Sequence, residues 1–187
     1  MTYRDDDIPF ACVRSFAVEE ATENYCAQPF DGRIGNWEFS IPDPTNKFNN
    51  VIRCNPSGGP SNVYNDISAV INKPYSAQVW CYVSKDFDGS GYVGIDASTS
   101  DTGLNGLKTL YNMSQKGTWQ FLKKENVLAT DTKARGILRV SSSFETGYVL
   151  FKNFQIEQKP FCTSFVDGSR SKGQVTIHLY LDVNNAV

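Results

Sequence analysis

Residues Tyr75 to Lys85 alternate without a break. Ala77, Val79, Cys81 and Val83 fall on one side, and Gln78, Trp80, Tyr82 and Ser84 on the other. A period of two sends successive side chains to opposite faces of a pleated strand, whereas a helix repeats every ~3.6 residues. A strand with one apolar face has to bury it against a second layer. That requirement recurs along the chain. Trp37, Phe39 and Ile41 alternate with Asn36, Glu38 and Ser40, and Phe48 to Cys54 sets up a further strand.

Turn signals separate these runs. Pro56-Ser57-Gly58-Gly59-Pro60 and Asn72-Lys73-Pro74 bracket an apolar series of Val63, Ile67, Ala69 and Ile71. After an Asp- and Gly-rich turn come Tyr92–Asp96, Trp119–Leu128, Gly136–Val140 and Tyr148–Glu157. Residues 97–116 lack a period and read as a long loop with a helical turn near Leu104–Tyr111. About nine strands with one-sided alternation predict an all-β fold, an antiparallel β-sandwich of jelly-roll type. The expected organisation is an N-terminal arm and first strand over 1–35, the sandwich over 36–170, and a strand-like extension over 171–187. In that extension Val175, Ile177, Leu179 and Leu181 share one face, so they are the expected assembly contacts, either with the sandwich edge or with another chain.

Composition narrows the function classes. A formal net charge of −2 offers no basic footprint for nucleic acid, and no apolar run approaches the roughly 18 residues of a membrane helix. Met1 to Phe10 carries Asp5-Asp6-Asp7 and lacks the features of a secretory signal. The five cysteines are scattered and form no C-x-x-C pair, so free buried thiols from a reducing compartment are expected, without zinc.

The last strand leads into an unusual exit, Gln155-Ile156-Glu157 followed by Pro160 and Thr163-Ser164-Phe165-Val166-Asp167-Gly168-Ser169-Arg170. Pro160 removes a backbone donor, so ladder pairing stops there. Upstream stand Val18-Glu19-Glu20-Ala21-Thr22-Glu23-Asn24, then Phe30-Asp31-Gly32 and Trp37; Gly117-Thr118-Trp119-Gln120 opens a later strand. In order and spacing these segments resemble the carbohydrate-binding-module-like jelly rolls of phage tail and appendage structural proteins. The resemblance spans residues 17 to 170. It implies a non-enzymatic virion subunit (tail, neck, fibre or capsid decoration), made in the host cytoplasm, oligomeric with other virion subunits, and able to contact a cell-surface glycan. Many relatives carry an Asp on the last strand that helps hold a structural calcium; here Lys152-Asn153 stands at that place.

Several local patterns invite chemistry. Trp80 and Tyr82 share the polar face of their strand with Gln78, an arrangement suited to stacking on sugar rings and reading hydroxyls. Arg139 or Gln120 would join them if their strands are neighbours. The open alternative is that the N-terminal segment, the 97–116 loop or another subunit covers that face. Asp86, Asp88 and Ser90 fit the first half of a calcium loop, but its twelfth position is Ala97 instead of Glu, and an Asp/Gly hairpin turn needs the same residues. Gly89, Gly91 and Gly94 fit G-x-G-x-x-G, yet the β-branched and aromatic residues after them continue as strand, which reads as a glycine-rich hairpin. His178, the single histidine, has no nucleophile motif around it, and Glu19-Glu20 and Asp5–Asp7 read as solvated charge. A virion structural role is thus the leading expectation. A free-standing glycan-binding module is the alternative, and a polysaccharide-degrading enzyme is a weaker third.

Overall fold

The computed structural model describes residues 21–96 and 103–170. They form two five-stranded sheets and a short ribbon, all antiparallel. In chain order the strands are β1 (Thr22–Glu23), β2 (Gly32–Ile34), β3 (Trp37–Pro42), β4 (Asn50–Cys54), β5 (Ser61–Ser68), β6 (Pro74–Val83), β7 (Val93–Asp96), β8 (Lys108–Leu110), β9 (Trp119–Leu128), β10 (Lys133–Val140), β11 (Val149–Glu157) and β12 (Ser169–Arg170). One sheet runs β2-β5-β10-β7-β8, the other β3-β4-β11-β6-β9, and β1 pairs with β12. This is the expected jelly-roll sandwich.

The alternation read in Tyr75–Lys85 is what builds the core. Ala77, Val79, Cys81 and Val83 are fully buried, and Val149, Phe151 and Ile156 of β11 join them. Val63, Ile67, Ile95, Leu138 and Val140 face them from the other sheet. Cys54 and Cys81 sit in this core as small hydrophobes.

Burial drives the thiols away from their reactive form. It raises Cys26 and Cys81 well above the ordinary value and pushes Cys54 up to about 12. Cys162 is also pushed up to about 12, first by burial and then by the carboxylates of Glu125 and Glu157. The thiolate is the reacting species. These four thiols are therefore expected to resist a disulfide reagent at pH ~8 until denaturant is added. Rapid labelling of the native protein at Cys26, Cys54, Cys81 or Cys162 would contradict these burial assignments.

Strands of two or three residues, β1, β2, β8 and β12, are too short to show a period, and alternation places none of them beyond a first strand somewhere in 1–35. β8 falls inside the supposed 97–116 loop, and the helical turn lies at Met113–Gln115 rather than near Leu104–Tyr111. The glycine-rich 86–91 segment is not a hairpin either. It crosses from one sheet to the other, because Phe87 is buried against Phe144, with ring centroids 4.8 Å apart. Gly94 is required for packing: its φ is +151°, and a Cβ there would lie 2.3 Å from the Thr109 carbonyl oxygen on β8. The expected assembly residues Val175, Ile177, Leu179 and Leu181 lie outside the described residues, as do His178, Glu19-Glu20 and Asp5–Asp7.

Candidate glycan-binding groove

The outward face of the β3-β4-β11-β6-β9 sheet carries the residues of interest. Trp80 lies opposite Lys152 on β11 and Phe121 on β9, and Tyr82 lies opposite Leu150 and Trp119. Their rings form a continuous series. Trp80 and Phe121 have centroids 5.0 Å apart, Tyr82 and Trp119 5.6 Å, and Tyr82 and Tyr148 6.1 Å. Such spacings suit tilted and stacked aromatic pairs.

Two segments lie over this face. The first is the 43–48 turn, organised by a single carboxylate. Asp43 accepts from the amides of Thr45, Lys47 and Phe48 and from the Thr45 hydroxyl. Thr45 Oγ1 in turn accepts from the Trp119 indole at 2.7 Å. The turn delivers Phe48 to within 4.9 Å of Trp119 and 6.0 Å of Trp80, and brings the Lys47 ammonium to 3.7 Å from the Trp80 ring centroid. Burial alone would raise the Asp43 pKa, but the bonds from Thr45, Phe48 and Lys47 outweigh it and hold the carboxyl below its usual range. A depressed folded-state pKa contributes stability that is complete above the ordinary carboxylate pKa and is lost as pH falls through the lower value. Acidification through that lower window should therefore release the turn before the sandwich melts. Asp43→Ala should do the same at neutral pH, at a cost of about 2 kcal/mol. Tryptophan fluorescence follows either change, and an unaltered spectrum in both would contradict the hub role.

The second segment is the exit, residues 158–168. Gln78 donates from Nε2 to the Thr163 carbonyl at 2.7 Å, and Gln155 Oε1 accepts from the Val166 amide at 2.8 Å. Glu157, almost fully buried, takes four bonds: the Thr22 hydroxyl at 2.5 Å, the Thr163 amide at 2.7 Å, the Thr163 hydroxyl at 2.8 Å and Gln155 Nε2 at 2.9 Å. Asn24 completes the closure. Its amide donates to the carbonyls of Phe154 and Val166, and its Oδ1 accepts from the amides of Cys26 and Ile156. The lead-in and exit motifs noticed in the sequence are thus two halves of one hydrogen-bonded clasp across β11.

Between the sheet face and the exit runs an open groove of about 410 Å³. Trp80 and Phe121 form one side and Phe165 of the exit the other, with Gln78, Asn153, Cys162, Thr163 and Ser164 lining the rest. Phe121 and Phe165 are 46% and 38% exposed, which leaves their rings open for stacking. Asn153 reaches the groove because β11 bulges between Lys152 and Gln155, where Asn153 takes a φ of +57°. Asparagine tolerates that left-handed geometry, and a bulge re-aims the side chain it carries.

The expected site residues are therefore dispersed. Trp80 lines the groove, and Gln78 does so with its Nε2 engaged by Thr163. Tyr82 packs one row away, between Trp119 and Tyr148. Arg139 is on β10 in the other sheet, where it meets Asp96 at 3.4 Å, so its strand is no neighbour of β6. Gln120 is on the adjacent strand, but its amide is spent on the backbone of Asn112. Phe121, Asn153 and Phe165 were not singled out. Phe165 stood in the exit motif, but nothing in the sequence shows that the exit folds back over β6.

The calcium reading has little to stand on. Asp88 accepts from the amides of Glu145 and Thr146, which hold it below the usual carboxylate range, and the Asp86 carbonyl accepts from the Thr146 hydroxyl. Asp86, Asp88 and Ser90 thus share a segment whose oxygens stitch it to the 144–147 turn. Among the described residues no three His, Cys, Asp or Glu side chains come together as a metal site. At Lys152 the ammonium donates to Asn50 Oδ1, so a cation stands where the resemblance would place a calcium-binding Asp, and Lys152 does not fit a calcium ion there.

No protein-family model matches the chain, and no curated protein matches it in sequence. Among solved structures it is similar to the enzymatically active domain of tailspike protein 4 of bacteriophage CBA120, at 14% identity and a TM-score of 0.41 over 66% of this chain and 18% of that one. It is also similar to the CBM22-1–GH10 modules of Clostridium thermocellum xylanase 10B complexed with xylohexaose, at 14% identity and a TM-score of 0.48 over 81% and 30%. A cyclase from Fischerella sp. TAU aligns at 20% identity and a TM-score of 0.40 over 68% and 75%.

Proposed function

We propose that this chain is a non-catalytic, carbohydrate-binding-type jelly roll of a phage virion component, and that it holds a host-surface glycan in the Trp80–Phe121–Phe165 groove. The observation that carries the reading is the groove itself: exposed rings on two sides and amide and hydroxyl side chains between them, formed by the sheet and the exit segment laid over it. Rings stack on sugar C–H faces while the polar groups orient the hydroxyls. The virion setting rests on the motif resemblance at both ends of the module. The β1–β12 ribbon supports an assembly role, since it brings the two ends of the sandwich together, Thr22 opposite Arg170.

A binding role fits better than hydrolysis because the carboxylates bordering the groove are committed to structure. Glu157 is buried in the clasp, and Glu125 holds the Cys162 amide and Lys123. Glycoside hydrolysis needs two carboxyl groups facing the scissile bond. A glycan array probed with the native protein and with Trp80→Ala tests the reading. Binding that disappears in the variant is expected; no binding by the native protein, or equal binding by both, would overturn it.

A further inference from the structure

We infer that the glycan held in this groove is acidic, bearing uronate or sialate carboxylates; the inference rests on the glycan reading above and specifies its ligand class. The chain is formally negative, at −2, yet three lysines stand around Trp80, just outside the lining of the groove. Lys152 lies directly opposite it on β11, Lys123 lies opposite Gln78 on β9, and Lys47 is carried over it by the 43–48 turn.

Lys47 is the informative one. Its ammonium is 3.7 Å from the Trp80 centroid, 5.5 Å from Phe48 and 5.8 Å from Trp119, and it forms no ion pair among the described residues. Lys47 is exposed, and three rings present their π faces to its cation. A carboxylate on a sugar held in the groove beside Trp80 would meet this ammonium without displacing it from the ring, and charge-assisted contacts of this kind are the strong ones. A neutral glycan would leave the Lys47 ammonium without an anionic partner, whereas Lys123 and Lys152 already meet Glu125 and Asn50. Of the carboxylates nearby, Glu125 is already paired with Lys123 at 3.1 Å and Glu157 is buried in the clasp.

The test is an array of uronate- and sialate-bearing oligosaccharides printed beside their carboxyl-reduced counterparts, with poly-glutamate as a non-sugar polyanion. The strongest acidic oligosaccharide is then titrated against the native protein, Lys47→Gln, Lys47→Arg and Trp80→Ala, with folding checked by thermal melting. Acidic members should bind and their reduced counterparts should lose about tenfold or more. Lys47→Gln should lose a similar factor, Lys47→Arg should recover most of it, and binding should weaken with salt. Equal binding of reduced glycans, still dependent on Trp80, would overturn the acidic class and leave the groove reading standing. Poly-glutamate binding as tightly as the sugars would overturn it in favour of a general polyanion site. If no glycan binds, both readings fail together.

Discussion

Glu157→Ala is expected to destabilise the protein by about 4 kcal/mol, more than any surface change on the module. The substitution removes the acceptor of four donors around an almost fully buried position: two hydroxyls, one backbone amide and one side-chain amide. Of these, Gln155 Nε2 and the Thr163 hydroxyl keep only long second contacts. A buried donor that loses its partner costs about 1–3 kcal/mol, and the four are coupled, so the total falls below their sum. For a domain of this size the melting temperature should drop by roughly 10 °C. Glu157→Gln keeps one acceptor oxygen but turns an amide toward hydroxyls, and should cost about 1–2 kcal/mol. Urea denaturation of the three proteins measures the series. A cost below about 1 kcal/mol for the alanine variant would show that the clasp does not hold the two ends of the module.

Trp80→Ala is expected to have the largest effect on function. The indole is at once one side of the groove, the neighbour of Phe121 and the seat of the Lys47 ammonium. Losing a central aromatic anchor costs about 2 kcal/mol of binding or more, a factor of roughly 30. The ring is half-buried, so stability should fall by about 2 kcal/mol, less than for a core aromatic, and the variant should remain folded. Two comparators separate the groove from the rest of the aromatic face. Tyr82→Ala removes a ring one row away and should reduce stability more than binding. Arg139→Ala, in the other sheet, should leave binding unchanged. Titration calorimetry with the best array ligand reads all three.

The fold was legible because burial on one side of a strand writes itself into every second residue. Val79, Cys81 and Val83 could be assigned to the core, and Cys54 with them, before any coordinates. The site was less legible because it depends on what lies over the sheet. Trp80 was visible as an aromatic ring on a polar face. Nothing local says that Asp43, thirty-odd positions earlier, gathers three backbone amides and places Lys47 on that ring. The exit motif was visible too, but its chemistry was not: Thr163 and Glu157 are six residues apart and read as loop and strand end, whereas Thr22 meets them only through the fold. Arg139 shows the converse. An attractive residue type at a plausible position fell in the wrong sheet, because strand order is set by long-range pairing that a single sequence does not display.

The most direct measurement is an amide and indole NMR titration with the best-binding oligosaccharide. The three indole N–H groups report different places: Trp37 donates to the Ile34 carbonyl, Trp119 to Thr45, and Trp80 belongs to the groove. The Trp80 indole and the amides of Phe121, Asn153 and Thr163–Phe165 should shift together and saturate with one affinity, while the Trp37 indole and the amides of Tyr92 and Arg139 stay still. Shifts centred on Tyr92 and Arg139, or on neither face, would contradict a glycan site on the Trp80 groove.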